Sequence, residues 1–443
     1  MNILYIIPYV PYPLNSGGNQ AFFNMVDAVR KIHNVSLLLY AHSSKEKMNV
    51  NQLQEIWPNV SLYCYADFSP KKASMEVMPV STMSWFNKVQ CQIFEYFQHS
   101  MERKIARRKR KYSTKKVQQD FNLGKFVREN SVLFRQSPDL NDGFLSYVYE
   151  TSRKGFDVIQ VEFFEYLPLV YLLPKEAKTV FVHHELSYIR KTNEMQLFDE
   201  VKAIDRMLFE QQKATEMTLL SAFDHVIVLT ETDKELLTKE IPSQNIYVSP
   251  ALTSSGRIKE YKKFVPAQEL VFVGSGDHFP NTDGLLWFCQ EAIPELKKLG
   301  NMPQILVTGL WRDNIKGIVS TLCPEVQFVG FIEDLGSFLN GRISIIPIRI
   351  GSGMRMKILD AIAASSPLVT TSKGCEGYSL VDKEDYIVAD TPANFAEAIY
   401  KLLNSTDTQK QITSSASYKF QSILDREDLI HRRMNFYQEI IQH

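Results

Sequence analysis

A chain of 443 residues can form two or three domains with large cores. Its 50 Lys and Arg balance 50 Asp and Glu, so no overall field favours a polyanionic partner. The 44% apolar and 12% aromatic content excludes a disordered chain, and five scattered cysteines without a Cys-x-x-Cys pair argue for a reducing compartment and against a zinc or disulfide framework.

The opening "MNILYIIPYVPYPL" reads as a first strand. Pro8, Pro11 and Pro13 interrupt it, no basic segment precedes it, and no apolar run in the chain approaches the roughly 20 residues of a bilayer span. The expected location is therefore cytoplasmic. The turn "NSGGNQ" (15–20) follows, where Gly17 and Gly18 permit close backbone approach at the start of a helix. Both are candidate anion-binding residues, with a plain strand-to-helix turn as the alternative. Phe22, Met25, Val26, Val29 and Ile32 then recur at helical spacing.

Further strands are expected at 35–40, 60–65, 157–162, 179–184, 225–230 and 246–250, alternating with helical patterns as in a parallel sheet. Residues 70–150 break the alternation as an inserted segment. Within it "MERKIARRKRKYSTKK" (101–116) carries nine basic residues and one acid, so it reads either as a solvated helix or as a patch for anionic lipid. Aromatics are sparse in that run, so no nucleic-acid partner is expected. The fifth strand ends in His183, His184 and Glu185, a titratable cluster at the carboxyl end of a strand. Its spacing does not suit a metal, and none is expected.

The polar stretch "SPALTSSGRIKEYKKFVPAQ" marks an interdomain linker, taken as 256–265, which ends a first domain of residues 1–255. Strands then restart at 269–274, 304–309, 327–331, 343–348, 367–371 and 385–389, giving a second domain at 266–410. Residues 411–443 are expected to form a long amphipathic helix returning to the first domain. The architecture is α/β, with two Rossmann-like doubly wound domains facing a cleft, where ligands lie beyond the carboxyl ends of the strands.

The densest chemistry is in "ISIIPIRIGSGMRMKILDAIAASSPLVTT" (343–371). Gly351, Ser352 and Gly353 form a turn that frees backbone N–H groups at a helix start. Arg355 offers a bidentate fork and Lys357 a point charge, both suited to diphosphate oxygens. Asp360 falls outside the apolar stripe of Ile358, Ala361 and Ile362 and could accept bonds from ribose hydroxyls. Past the next strand, Glu376 in "GCEGYS" is a further candidate donor contact.

The segment "IPIRIGSGMRMKILDAIAASSPLVTTSKGCEGYSL" resembles the nucleotide-sugar-binding region of retaining GT-B glycosyltransferases, the group that includes sucrose synthase-like enzymes and lipopolysaccharide mannosyltransferases. "FVGSGDHFPNTDGLLWFCQEAIPEL" and "DYIVADTPANFAEAIYKLL" are similar to the opening and close of that family's second domain, while "PYPLNSGGNQ" and "VHHE" match its first domain more loosely. The resemblance implies a nucleotide-diphosphate-sugar donor on the second domain and a saccharide or lipid-linked acceptor on the first. It places His183 near the reacting sugar, and we expect His184 and Glu185 on the acceptor side. The family's two glutamates, seven residues between them, fall on Ser352 and Asp360; the first is no carboxylate and the second is a methylene shorter.

The expected activity is hexosyl transfer with retention, for polysaccharide or glycolipid synthesis. Arg355 and Lys357, with backbone N–H groups near Gly17, Gly18 and Gly353, would stabilise the departing diphosphate without a metal or cofactor. The chain has no Asp-x-Asp sequence, which fits that expectation. Two rivals are a GT-B-fold sugar-nucleotide epimerase and, given Ser352 and Asp360, a non-catalytic nucleotide-sugar-binding subunit.

Overall fold

A computed structural model describes residues 1–14, 17–67, 121–134, 140–252, 263–300, 302–423 and 425–442. The basic run 101–116, Asn15, Ser16 and most of the linker lie outside the described residues. One compact unit comprises residues 1–67 and 123–443 and holds two sheets.

The first sheet contains β1 (Asn2–Ile7), β2 (Asn34–Ala41), β3 (Ser61–Ala66), β4 (Val158–Glu162), β5 (Lys178–His183), β6 (His225–Val228) and β7 (Asn245–Val248), in the order β3-β2-β1-β4-β5-β6-β7. All of its pairings are parallel. The second contains β8 (Glu269–Phe272), β9 (Ile305–Thr308), β10 (Val326–Gly330), β11 (Arg342–Ile346), β12 (Leu368–Thr370) and β13 (Ile387–Val388), again all parallel, in the order β10-β9-β8-β11-β12-β13. Each expected β-branched run forms one of these strands. Their continuous apolar character has a simple cause: helices cover both faces, so Ile3 through Ile7 are all fully buried.

Strand order reverses between β1 and β4 in one sheet and between β8 and β11 in the other. A crevice opens at such a reversal because the two adjacent crossovers go to opposite faces. The four loops leaving these strands carry, in turn, Gly17 and Gly18, Phe163, His278 with Asn281, and the Gly351–Gly353 turn.

The closing region is two helices, Thr406–Ile423 and Arg426–Gln442, rather than one long one. Asp425 breaks them by accepting the backbone N–H groups of Glu427 (2.9 Å) and Asp428 (3.3 Å), which caps the second helix. That last helix reaches the first sheet. Tyr437 is fully buried and its hydroxyl lies 3.1 Å from that of Tyr5 on β1. One apolar core runs from Ile3, Tyr5 and Phe22 through Leu252 to Ile346, Ile358 and Ile362, joining the two halves.

Candidate active site

The helix Met356–Ala363 starts where β11 ends, and Lys357 lies in its first turn. Lys357 is half-buried, with protein crowded around its ammonium. That ammonium donates to Asn281 Oδ1 at 2.7 Å, and Asn281 is itself fixed by a 3.0 Å bond from its amide to the Ser275 carbonyl. No carboxylate among the described residues comes within ion-pair distance of Lys357. Burial, and then the neighbouring Arg355, push its pKa down from its ordinary value to about 7. The ring of His278 is exposed at the mouth of the crevice, where crowding by protein and then Arg190, Lys357 and Arg355 lower its pKa against the pull of Glu185. A half-buried cation without a counter-charge, at a helix N-terminus beside a strand reversal, suits an anion.

Arg355 is disposed differently from a free fork. Its guanidinium donates to the carbonyls of Ser352, Gly353 (3.0 Å) and Ile350 (3.4 Å), so it braces the turn that precedes it. Tyr378 holds the backbone there, donating to the Arg355 carbonyl at 2.9 Å. A bidentate pair between Arg349 and the fully buried Asp283 ties the end of β11 to the helix Phe279–Trp287.

The two halves meet at this turn. Gly351 and Gly353 have φ of 111° and 75°, in the left-handed region that favours glycine. A Cβ on Gly353 would strike the His184 carbonyl, and one on Gly351 would strike the Glu185 carboxylate. Ser352 is buried and its hydroxyl accepts the Leu186 N–H at 2.6 Å, while Asn193 takes the Gly351 N–H at 3.1 Å. Gly351 and Ser352 therefore join the halves, and the Gly351 N–H is already in use. Glu185 lies beside the cationic turn. Burial raises its pKa, but Arg190, which it meets at 3.1 Å, then His278 and Arg355 leave it lower than an ordinary carboxyl. A second contact places Gly377 against Thr230, with Glu376 paired to Lys373 at 2.8 Å. Asp233, near Glu376, is raised by burial despite hydrogen bonds from Thr230 and Ser352.

Gly17 opens the helix Gly17–Val29, and a Cβ there would come 3.1 Å from Met356. The two helix N-termini thus face each other across the halves, which brings Gly17 to the start of the Lys357 helix. Gly18 lies toward the Tyr9 hydroxyl. Asp360 is half-buried, one turn further along from Lys357.

The two histidines separate. His183 is 2% exposed and its Nε2 is bonded to the buried Glu216 at 2.8 Å, so it is a satisfied core residue and its placement does not suit a catalytic role. His184 is the accessible one, stacked on Phe163 at 4.3 Å and bonded through Nε2 to Glu162 at 2.7 Å. Parallel strands buried on both faces give no alternation by which the sequence could separate the two. Replacing His183 by Ala should cost roughly 1–3 kcal/mol of stability, because the buried Glu216 then keeps, among the described residues, only the Ser187 N–H. His184→Ala takes a partner from the buried Glu162, so it should lower the melting temperature as well as cut turnover at least ~10-fold. Thermal melting beside an activity assay checks both.

Sequence reasoning passed over Glu162, Phe163 and Tyr9. Phe163 has φ of 71°, a costly conformation for a residue with a Cβ, at the end of β4 where the strand order reverses. Tyr9 packs edge-on to Phe163 at 5.0 Å, and its buried hydroxyl has no hydrogen-bond partner among the described residues. Leu310 and Phe331 were passed over as well. They follow β9 and β10 and are 71% and 60% exposed.

Two parallel doubly wound sheets facing one another make the GT-B architecture, and the resemblance to GT-B glycosyltransferases read from the motifs holds. Residues 267–405 match the family described as Glycosyl transferases group 1. The fold is similar to that of a mutant of S. aureus TarM in complex with fondaparinux, alpha-GlcNAc-glycerol and UDP, with TM-score 0.64 and 11% identity over 99% of this chain and 100% of that one. It is also similar to sucrose-phosphate synthase from Thermosynechococcus elongatus, with TM-score 0.64 and 14% identity over 100% of each chain. WaaG, a glycosyltransferase involved in lipopolysaccharide biosynthesis, has TM-score 0.58 and 13% identity over 99% of each. A Klebsiella pneumoniae relative, an uncharacterized 44.6 kDa protein in the cps region, is 25% identical over 207 residues, which are 44% of this chain and 51% of the relative. The match thus spans about half the length of that curated relative.

Proposed function

We infer that this chain transfers a hexosyl group from a nucleotide-diphosphate sugar to an acceptor hydroxyl, with retention and without a metal. The carrying observation is Lys357: a half-buried ammonium held by Asn281, with no carboxylate among the described residues at ion-pair distance, at a helix N-terminus next to the β8/β11 reversal. Charge that grows on the leaving diphosphate would meet this cation and the facing start of the Gly17 helix. The exposed Leu310 and Phe331 follow β9 and β10, next in order after β8, and offer an apolar wall for the nucleoside. The UDP bound by TarM, in the structure similar to this one, supports a nucleotide of that kind. The acceptor would be a saccharide or lipid-linked saccharide lying along the first sheet near His184, for polysaccharide or glycolipid synthesis.

The test is a thermal-shift screen of nucleotide sugars, followed by transfer assays in excess EDTA and NMR of the product's anomeric configuration. A donor that raises the melting temperature, turnover that survives chelation and a retained anomer are expected. Inversion would overturn retention, and Mg²⁺-restored turnover would overturn metal independence. Ser352 supports a second reading, since its hydroxyl is occupied by Leu186 and it offers no carboxylate. A non-catalytic subunit would bind the donor and turn over no acceptor.

No helix among the described residues is long and apolar enough to cross a membrane. The nine cations within residues 101–116 would instead hold the protein reversibly at an anionic surface, at about 1 kcal/mol each before discount. Co-sedimentation with phosphatidylglycerol vesicles should exceed that with neutral ones and weaken as salt rises. Equal binding to both lipids would leave the run as a solvated segment.

A further inference from the structure

Behind His184 lies a buried polar chain whose donors and acceptors can be ordered in only one way. His184 Nε2 is 2.7 Å from Glu162 Oε2, and Gln160 Nε2 donates to Glu162 Oε1 at 2.5 Å. Tyr437 donates to Gln160 Oε1 at 2.6 Å, and the Tyr437 oxygen lies 3.1 Å from the Tyr5 hydroxyl and accepts from Arg433 at 3.3 Å. Arg433 is anchored by donating to Ser249 at 2.9 Å. Glu162, Gln160, Tyr437, Tyr5 and Arg433 are all buried.

A carboxylate only accepts, so both of its neighbours must donate. The Gln160 amide therefore points its NH₂ at Glu162 and its carbonyl at Tyr437, and the pattern closes without conflict. The same logic fixes the imidazole: the proton of a neutral His184 is on Nε2, and Nδ1 carries a lone pair. No described residue bonds Nδ1. The ring is held face-on by Phe163, 14° from parallel, so this lone pair has a set direction.

We propose that Glu162 is a positioning residue that holds His184 as its Nε2–H tautomer, leaving Nδ1 to accept a hydrogen bond from a substrate hydroxyl. The last helix of the chain holds Glu162 through Tyr437 and Gln160. The substrate step rests on the glycosyltransferase reading; the tautomer does not. A positioned acceptor atom beside the reaction centre can align a sugar or acceptor hydroxyl without taking its proton away.

The first measurement is the two-bond ¹H–¹⁵N spectrum of the ¹⁵N-histidine-labelled full chain at pH 8. His184 is assigned as the pattern missing from His184→Ala. A protonated Nε2 beside an unprotonated Nδ1 is expected, and the opposite tautomer overturns the proposal with no variant needed. Glu162→Gln keeps the shape but can accept or donate, so the His184 pattern should become a mixture of tautomers; an unchanged pattern also overturns the proposal. Once a donor is found, Glu162→Gln should lower kcat at least ~10-fold while the Kd for UDP stays within about twofold. A loss confined to UDP affinity would mean that Glu162 serves donor binding and the positioning role is wrong. If wild type transfers no sugar while the tautomer is as stated, the transferase reading fails and the proposal for Glu162 stands.

Discussion

Lys357→Met should abolish most donor binding while leaving a protein at least as stable as wild type. Losing a charge-assisted contact to phosphate removes roughly 1.5–3 kcal/mol, which weakens the Kd for UDP by about 10- to 100-fold at pH 6. The direction of the stability change follows from the depressed pKa of about 7. Between that value and the ordinary one near 10.5 the unfolded chain carries a proton that the folded chain lacks, so this residue makes stability rise with pH in that window. Below pH 7 the folded protein holds a half-buried charge, and the methionine removes that cost. Donor binding has the opposite sign. An anion draws the proton back onto Lys357, so wild-type affinity should be flat below about pH 6 and weaken by up to about tenfold per unit above pH 7. Calorimetry across about pH 6–9 reads both effects, and the variant should show a flat profile. UDP binding by Lys357→Met as tight as that of wild type at about pH 6 would remove Lys357 from the anion site.

Gly353→Ala is expected to be nearly as damaging, for a steric reason. The left-handed φ of 75° costs an alanine roughly 1–3 kcal/mol, and its methyl group must also displace the His184 carbonyl. The turn and the 184–186 segment would have to part, which breaks the bond from the Leu186 N–H to the Ser352 hydroxyl. A lowered melting temperature together with a loss of transfer is expected, since the same contact joins the halves and lines the site. Full transfer activity in this variant would show that the contact is dispensable for the reaction. Gly317→Ala, in a helix where a Cβ meets nothing within 4 Å, is the matched control.

The strands were legible because all-parallel sheets demand continuous β-branched runs, and "NILYII" or "ISIIPI" has few other uses. The cationic helix start was legible too, since Lys357 and Arg355 follow a Gly-Ser-Gly turn directly. What each cation does was not legible. Arg355 bends back onto carbonyls of its own turn, a choice made by local geometry, while crowding and then the neighbouring Arg355 lower the proton affinity of Lys357. The glycines were read as openings for phosphate, yet their neighbours His184 and Glu185 come from the other half of the chain. Glu162 and Phe163 gave no signal because their importance comes from where the strand order reverses, and pairing order is not written in any local pattern.

The helix Arg426–Gln442 places Tyr437 and Arg433 into the floor of a sheet whose first strand was made more than four hundred residues earlier. During synthesis, β1 to β7 exist for some time before that helix does. At about 5–20 residues per second the wait is roughly 10–40 s, with Tyr5, Gln160 and Glu162 lacking the groups that later cover them. On the ribosome the first sheet would therefore lack these covering groups until the second half had been made.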